Sequence, residues 1–297
     1  MQTYDSDKNF LGITEKELCS YLSSHYVIQS VPYEHTSSYV AGSDKGPQAI
    51  IDASRFVEFY DEMLGKETYR SCGIATLPAI DFNGKVDAEA VKHIEDHTSR
   101  LLKDKKFVVS IGAEHTVTLG FVKAHQQHFE NLSVLQLDAH ADLRYSYNDN
   151  IYSHASVMAR VHELGVPLTQ IGIRALSTPE AELSKSSDII HTFYAHYLRR
   201  NKDWMKDALD TLNANVYITI DADGFDPAVI PAVGTAEPGG LLWDETMDFL
   251  KMVCEKRNVV GFDIVECAPI EGNVLSEYTL AKLCYRLIGF VESSRKV

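Results

Sequence analysis

Positive charge is in short supply: 28 lysines and arginines face 42 aspartates and glutamates, a formal net charge of −14 over 297 residues. Proteins that bind nucleic acid draw much of their affinity from neutralising phosphates, so a chain this acidic is not expected to bind it. Cysteine is sparse too. Cys19, Cys72, Cys254, Cys267 and Cys284 are odd in number and never spaced as Cys-x-x-Cys. That excludes a thiolate zinc site of the usual spacing and a disulfide framework, and leaves packed free thiols as the expectation. Long apolar runs are missing: none approaches the roughly 20 residues of a membrane span, so no membrane partner is expected. The first residues, among them Asp5 and Asp7, lack the basic-then-apolar order of a secretion signal, and a cytoplasmic protein is the expectation. No repeat, low-complexity tract or linker divides the chain, so a single α/β domain over 1–297 is expected.

What is present is alternation. Short apolar runs rich in β-branched residues occur at 26–31, 72–77, 107–111, 133–137, 168–173, 188–191, 216–220 and 259–264. Amphipathic stretches at 87–105, 116–128, 155–164, 197–213, 243–256 and 276–293 follow most of them. This pattern predicts a mainly parallel sheet with helices on both faces. Ligands of such sheets bind beyond the carboxyl ends of the strands, where several loops converge. Polar clusters stand at those ends: Glu114 and His115 after the third run, Asp138, His140 and Asp142 after the fourth, Asp221 and Asp223 after the seventh, Glu266 after the eighth.

Asp138, His140 and Asp142 alternate, and alternate side chains of an extended chain share a face. Asp221 and Asp223 repeat the device. With His115 the set holds four aspartates and two histidines, an oxygen-rich mixture that suits manganese better than a soft metal. Four clustered carboxylates would repel one another and raise their own pKa values unless cations offset them, and two divalent ions would do so. A pair of such ions can also lower the pKa of a shared water. Either aspartate motif alone is more often turn chemistry than a ligand set; together at successive strand ends they are much harder to dismiss. His93 with His97 and His125 with His128 have helical spacing, but beside Lys92, Glu95, Asp96, Gln126 and Gln127 they are expected on solvated helix faces. Asp226 precedes Pro227 and reads as a turn initiator.

Taken in order, Gly112-Ala113-Glu114-His115, Asp138-Ala139-His140-Ala141-Asp142, Ser153-His154-Ala155, Asp221-Ala222-Asp223-Gly224-Phe225-Asp226-Pro227, Gly234-Thr235-Ala236-Glu237-Pro238-Gly239-Gly240 and Gly261-Phe262-Asp263-Ile264-Val265-Glu266 resemble the signatures of the ureohydrolases, the arginase and agmatinase family. The agmatinase branch is the most similar, and Gly42 to Ile50 extends the resemblance over most of the chain. It implies a three-layer arginase-like fold and two Mn2+ per subunit. His115, Asp138, Asp142 and Asp221 would hold one ion, and Asp138, His140, Asp221 and Asp223 the other. It further implies His154 as the proton donor to the leaving amine, Glu266 as the carboxylate that grips a guanidinium, and assembly as a homotrimer or homohexamer. Ala113 stands where the family more often has glycine, a source of strain if the position needs positive φ.

The expected reaction is therefore hydrolysis of a small cationic guanidino substrate, with agmatine, cleaved to putrescine and urea, foremost. Arginase, guanidinobutyrase, guanidinopropionase and formiminoglutamase chemistry are the alternatives within the family. Asp149 and Glu163 are candidates for reading an ammonium at the far end of the substrate. From other classes stand a non-catalytic metal-binding relative, which loss of a ligand, His154 or Glu266 would mark, and a two-metal phosphoesterase, which would want more basic residues than the nearby Arg144.

Overall fold

The computed structural model describes residues 1–295. Its strands are β1 (Tyr26–Val31), β2 (Tyr60–Asp61), β3 (Lys66–Glu67), β4 (Ile74–Thr76), β5 (Phe107–Gly112), β6 (Leu132–Leu137), β7 (Leu168–Ile173), β8 (Ile190–Tyr194), β9 (Asn215–Asp221) and β10 (Asn258–Val265). Eight of them form one sheet in the order β4-β1-β5-β10-β9-β6-β7-β8, with every pairing parallel. β2 and β3 make a small antiparallel hairpin.

The apolar runs take this form because both faces of the sheet are covered. Every residue of β1, β5, β6 and β7 is buried, which continuous Val, Ile and Leu runs satisfy and an alternating strand would not. One face packs on an apolar cluster containing Phe249, Phe262 and Leu287, and another cluster contains Val91, Phe121 and Val161. Helix Asp87–Lys103 buries Val91, Ile94 and Leu101 on one stripe, with Asp87 and Glu89 in its first turn and Arg100 and Lys103 in its last, each sign favourable to the helix dipole.

All eight expected strand runs belong to the main sheet, β8 lying slightly later than its run. The expected helix at 197–213 is instead two short helices, Ala195–Leu198 and Trp204–Asp210, because Asn201 Oδ1 accepts the Asp203 N–H and turns the chain between them. Helix Thr178–Ser186 was not expected. Its signal was readable in Ser177 and Glu180, whose side chains form a capping box around Pro179.

Two histidines correct the solvated-face expectation. His125 is fully buried, donates its Nδ1–H to the Phe121 carbonyl, and packs where Gly261 of β10 leaves room for it. His97 is only partly exposed and meets Gln29 of β1. The five cysteines are free and buried.

Candidate metal centre

The four central strands, β5, β10, β9 and β6, deliver the polar clusters to one place. His115 opens the turn after β5, Glu266 follows β10, Asp221 ends β9 with Asp223 in the turn beyond it, and Asp138, His140 and Asp142 follow β6. His115 Nδ1 lies 3.1 Å from Asp138 Oδ2, 3.0 Å from Asp142 Oδ2 and 3.3 Å from Asp221 Oδ2. His140 Nδ1 lies 3.0 Å from Asp223 Oδ2 and 3.8 Å from Asp138 Oδ1. Among the described residues two groups therefore have the spacing to hold an ion, His115 with Asp138 and Asp142, and Asp138 with His140 and Asp223. Asp138 belongs to both.

The hydrogen bond at the other His115 nitrogen fixes one of its protons. Nε2 lies 2.9 Å from Thr219 Oγ1, and that hydroxyl gives its own proton to Asp263 Oδ1 at 2.7 Å. Thr219 must then accept, so Nε2 carries a hydrogen; burial opposes a second proton at Nδ1, but Asp138, Asp142 and Asp221 outweigh it and hold the ring well above the usual imidazole range. Buried Nδ1 has no hydrogen-bond partner, yet three carboxylate oxygens surround it. A ring nitrogen amid three anionic oxygens calls for positive charge, a proton or in its place a cation, and the donor set of imidazole and carboxylate suits a manganese-like ion.

The carboxyls show the same demand. Burial, then the charges of Asp142 and Asp223, pushes Asp138 up to about 7. Burial and then Asp223 and Asp138 hold Asp221 well above the usual carboxylate range. Bound cations would reverse both shifts.

Glu266 and His154 share a cavity of about 230 Å³ with His140, Asp142, Asp221 and Asp223. Glu266 Oε1 accepts the His115 N–H at 2.7 Å, and burial pushes its carboxyl up to about 8. Its φ of 62° and that of Asp142, 53°, lie in the left-handed region, a local strain of about 1–3 kcal/mol each that functional sites commonly carry. Ala113 is not among the positive-φ residues, so its departure from glycine brings no strain. His154 Nδ1 lies 3.0 Å from Thr36 Oγ1, whose proton goes to Glu114 Oε2 at 3.1 Å. Thr36 thus accepts Nδ1–H and leaves His154 Nε2 as the ring nitrogen free to act.

Sequence reasoning missed Thr36, Thr219 and Asp263. Asp263 alone carried a signal, a charge within the apolar run of β10; buried, it accepts hydroxyls from Thr219, Tyr217 and Thr118. Asp149 and Glu163 do not line the cavity, and Glu163 pairs with Arg160 at 2.7 Å. Asp226 organises turns: Oδ1 accepts the Ala228 N–H, and Oδ2 accepts those of Gly239 and Gly240.

Gly224 sits against the ligand loop. A Cβ there would stand 2.8 Å from Asp138 N and 3.0 Å from its Cα, backbone that cannot step aside alone. Gly224→Ala is expected to cost about 1–3 kcal/mol of stability and to weaken metal binding by displacing Asp138. Thermal melts of the metal-free protein and chelator competition check the two effects separately.

The Arginase family model matches residues 24–289. An N(1)-aminopropylagmatine ureohydrolase of Synechocystis sp. is 40% identical over 296 residues, 97% of this chain and 96% of that protein. An agmatinase of Pyrococcus horikoshii is 32% identical over 269 residues, 89% of this chain and 91% of its own. The crystal structure of agmatine ureohydrolase of Thermoplasma volcanium superposes with a TM-score of 0.81 at 29% identity, covering 96% of this chain and 94% of that one. The proclavaminate amidino hydrolase from Streptomyces clavuligerus, 22% identical with a TM-score of 0.86 over 99% of this chain and 98% of its own, shares the fold. By its strand-end motifs, its sheet and the match over nearly its whole length, the chain belongs to the arginase family.

Proposed function

We propose that this chain, acting as a single domain, hydrolyses the guanidino group of an agmatine-type cation, with N1-aminopropylagmatine the preferred substrate and agmatine the second. The observation that carries the reading is the convergence of His140, Asp142, Asp221, Asp223, His154 and Glu266 on one cavity. The first part of the substrate name rests on relatives such as the Synechocystis protein, and the second on those named agmatinase. Guanidino acids have less support. Arg144 is the lysine or arginine that lines the cavity, and its guanidinium lies over the Tyr147 ring with Glu180 3.8 Å away.

In this reading His115, Asp138, Asp142 and Asp221 hold one divalent ion, and Asp138, His140, Asp221 and Asp223 the other. Bound there, the ions would supply an activated water and offset the carboxylate charge. Glu266, anchored through Oε1, would present its remaining oxygen to the guanidinium, orienting the planar carbon towards that water. Water adds to the guanidinium carbon, the bond to the alkyl-bearing nitrogen breaks, and urea and a protonated amine separate. An amine anion is a very poor leaving group, so a proton must reach that nitrogen as the bond breaks. His154, its Nδ1–H held by Thr36, would deliver it from Nε2.

His154→Asn is expected to lower kcat on the order of 10²-fold with little change in KM, and exogenous imidazole should restore part of the loss; steady-state kinetics read both. Urea release from N1-aminopropylagmatine, agmatine, arginine, guanidinobutyrate and guanidinopropionate, with formamide release from formiminoglutamate, tests the substrate. Turnover of a guanidino acid alone would overturn the agmatine-type assignment. Manganese as the resident ion and assembly as a homotrimer or homohexamer belong to the same reading, and metal analysis and sedimentation of the purified protein test them.

A further inference from the structure

A rung of polar residues crosses the interior of the sheet. Strand register sets Ser110 of β5 beside Asp263 of β10, Asp263 beside Thr219 of β9, Thr219 beside Gln136 of β6, Gln136 beside Gln170 of β7, and Gln170 beside Thr192 of β8. Gln136 and Thr219 each stand two residues before an aspartate of the metal centre, Asp138 and Asp221. Gln136 and Gln170 are fully buried, a position where an apolar residue would serve the fold at less cost in desolvation.

Their amides are satisfied in one direction only. Gln136 Nε2 donates to Asp138 Oδ2 at 2.7 Å and to the His140 carbonyl at 3.2 Å. Its oxygen accepts from Gln170 Nε2 at 2.7 Å, and the same Gln170 nitrogen donates to the Ala141 carbonyl at 2.8 Å. Gln170 Oε1 in turn accepts the Thr192 hydroxyl at 2.8 Å, and Thr192 meets Ser184 Oγ at 2.7 Å. Reversing either amide would turn its oxygen towards a carboxylate or a carbonyl, so each donor of the chain points inward, from Thr192 to Gln170, from Gln170 to Gln136 and Ala141, and from Gln136 to Asp138 and His140.

We propose that Gln136, backed by Gln170, is a positioning residue that sets the rotation of the Asp138 carboxylate and the path of the loop carrying His140. Asp138 is the residue shared by the two candidate ion groups. Its Oδ1 accepts the His140 N–H at 2.6 Å and its Oδ2 accepts from Gln136, so each oxygen gives one lone pair to the protein and keeps one to offer an ion. Without Gln136 the carboxylate is held from one side, and the His140 carbonyl loses a partner. The role is exerted through Asp138, and it rests on the metal-centre reading but not on the choice of substrate.

The test measures Mn2+ affinity by competition with a chelator of known strength, beside thermal melts of the metal-free protein, for the wild type, Gln136→Met, Gln170→Met and the double variant. Gln136→Met is expected to weaken Mn2+ binding about 10–100-fold, the effect typical of losing a hydrogen bond to a metal ligand. Gln170→Met should weaken it less, and the double variant should lose less than the two single losses combined, because Gln170 acts in part through Gln136 and in part through its own bond to the Ala141 carbonyl. Unchanged affinity in Gln136→Met, or losses that simply add in the double variant, would overturn the proposal. Thr192→Val, at the half-buried end of the chain, removes the donor to Gln170 with little disturbance of the core; a smaller loss of affinity supports the proposal even if the inner variants do not fold, and no loss counts against it. A wild type that binds no Mn2+ would instead sink the metal-centre reading itself.

Discussion

Asp138→Asn is expected to lower metal-dependent urea release by on the order of 10³-fold or more, while making the metal-free protein more stable at neutral pH. The two effects have one cause. Asp138 is completely buried between Asp142, Asp223 and Asp221, and its carboxyl is pushed up to about 7 by burial and then by the neighbouring charges. Bound cations turn that liability into affinity; without them it remains a cost to folding. An acid whose folded pKa exceeds its unfolded value binds more protons in the folded state between the two values. Stability of the metal-free wild type should therefore fall as pH rises from about 4 towards about 7, and stay low above it. Asparagine is close to isosteric and carries no charge, so the variant's melting temperature should depend less on pH across that window. Melts of chelator-treated protein from acid to neutral pH, with metal content and urea release at neutral pH, read all of this. Full activity in the variant would remove Asp138 from the centre.

The parts of this protein that were legible in its sequence are those in which neighbours along the chain do the same job. A buried parallel strand needs a short run of Val, Ile and Leu, so β5, β6 and β9 announce themselves. β8 lies at the sheet edge, with His191, Thr192, Phe193 and Tyr194 only partly buried, and its apolar signal is correspondingly mixed. The two-residue strands of the hairpin are too short to show a period. In the site, Asp138, His140 and Asp142 could be read as a group because alternation alone gives them a common face. Gln136 with Gln170, Thr219 with Asp263, and Thr36 with His154 could not, since each pair is joined by register or by a loop crossing that no local spacing encodes. His125 failed for the same reason: its chain neighbours are polar, but the space it fills is made by Gly261 on another strand.

Glu266→Gln is expected to lower kcat/KM on the order of 10²–10³-fold, through KM as well as kcat, with both ions still bound. Glu266 is in neither group with the spacing to hold an ion. Its Oε1 is tied to the His115 N–H at 2.7 Å, and a glutamine oxygen can accept that same hydrogen bond, so the backbone after β5 and the His115 ring should keep their places. What changes is the other terminal atom. A carboxylate offers a guanidinium an acceptor with charge, a charge-assisted bond roughly twice as strong as a neutral one, whereas the amide would oppose one N–H with another. The substitution also removes a half-buried acid whose carboxyl is pushed from its ordinary value of 4.5 up to about 8, so the metal-free variant should gain in melting temperature over the wild type as pH rises from about 4.5, with the full gain reached above about 8. Metal analysis, melts and steady-state kinetics on one preparation separate the possibilities. Loss of turnover with metal content intact would place Glu266 against the substrate. Loss of metal together with turnover would assign it to the ion groups instead, and unchanged kinetics would leave its left-handed φ of 62° as a feature of the turn after β10 alone.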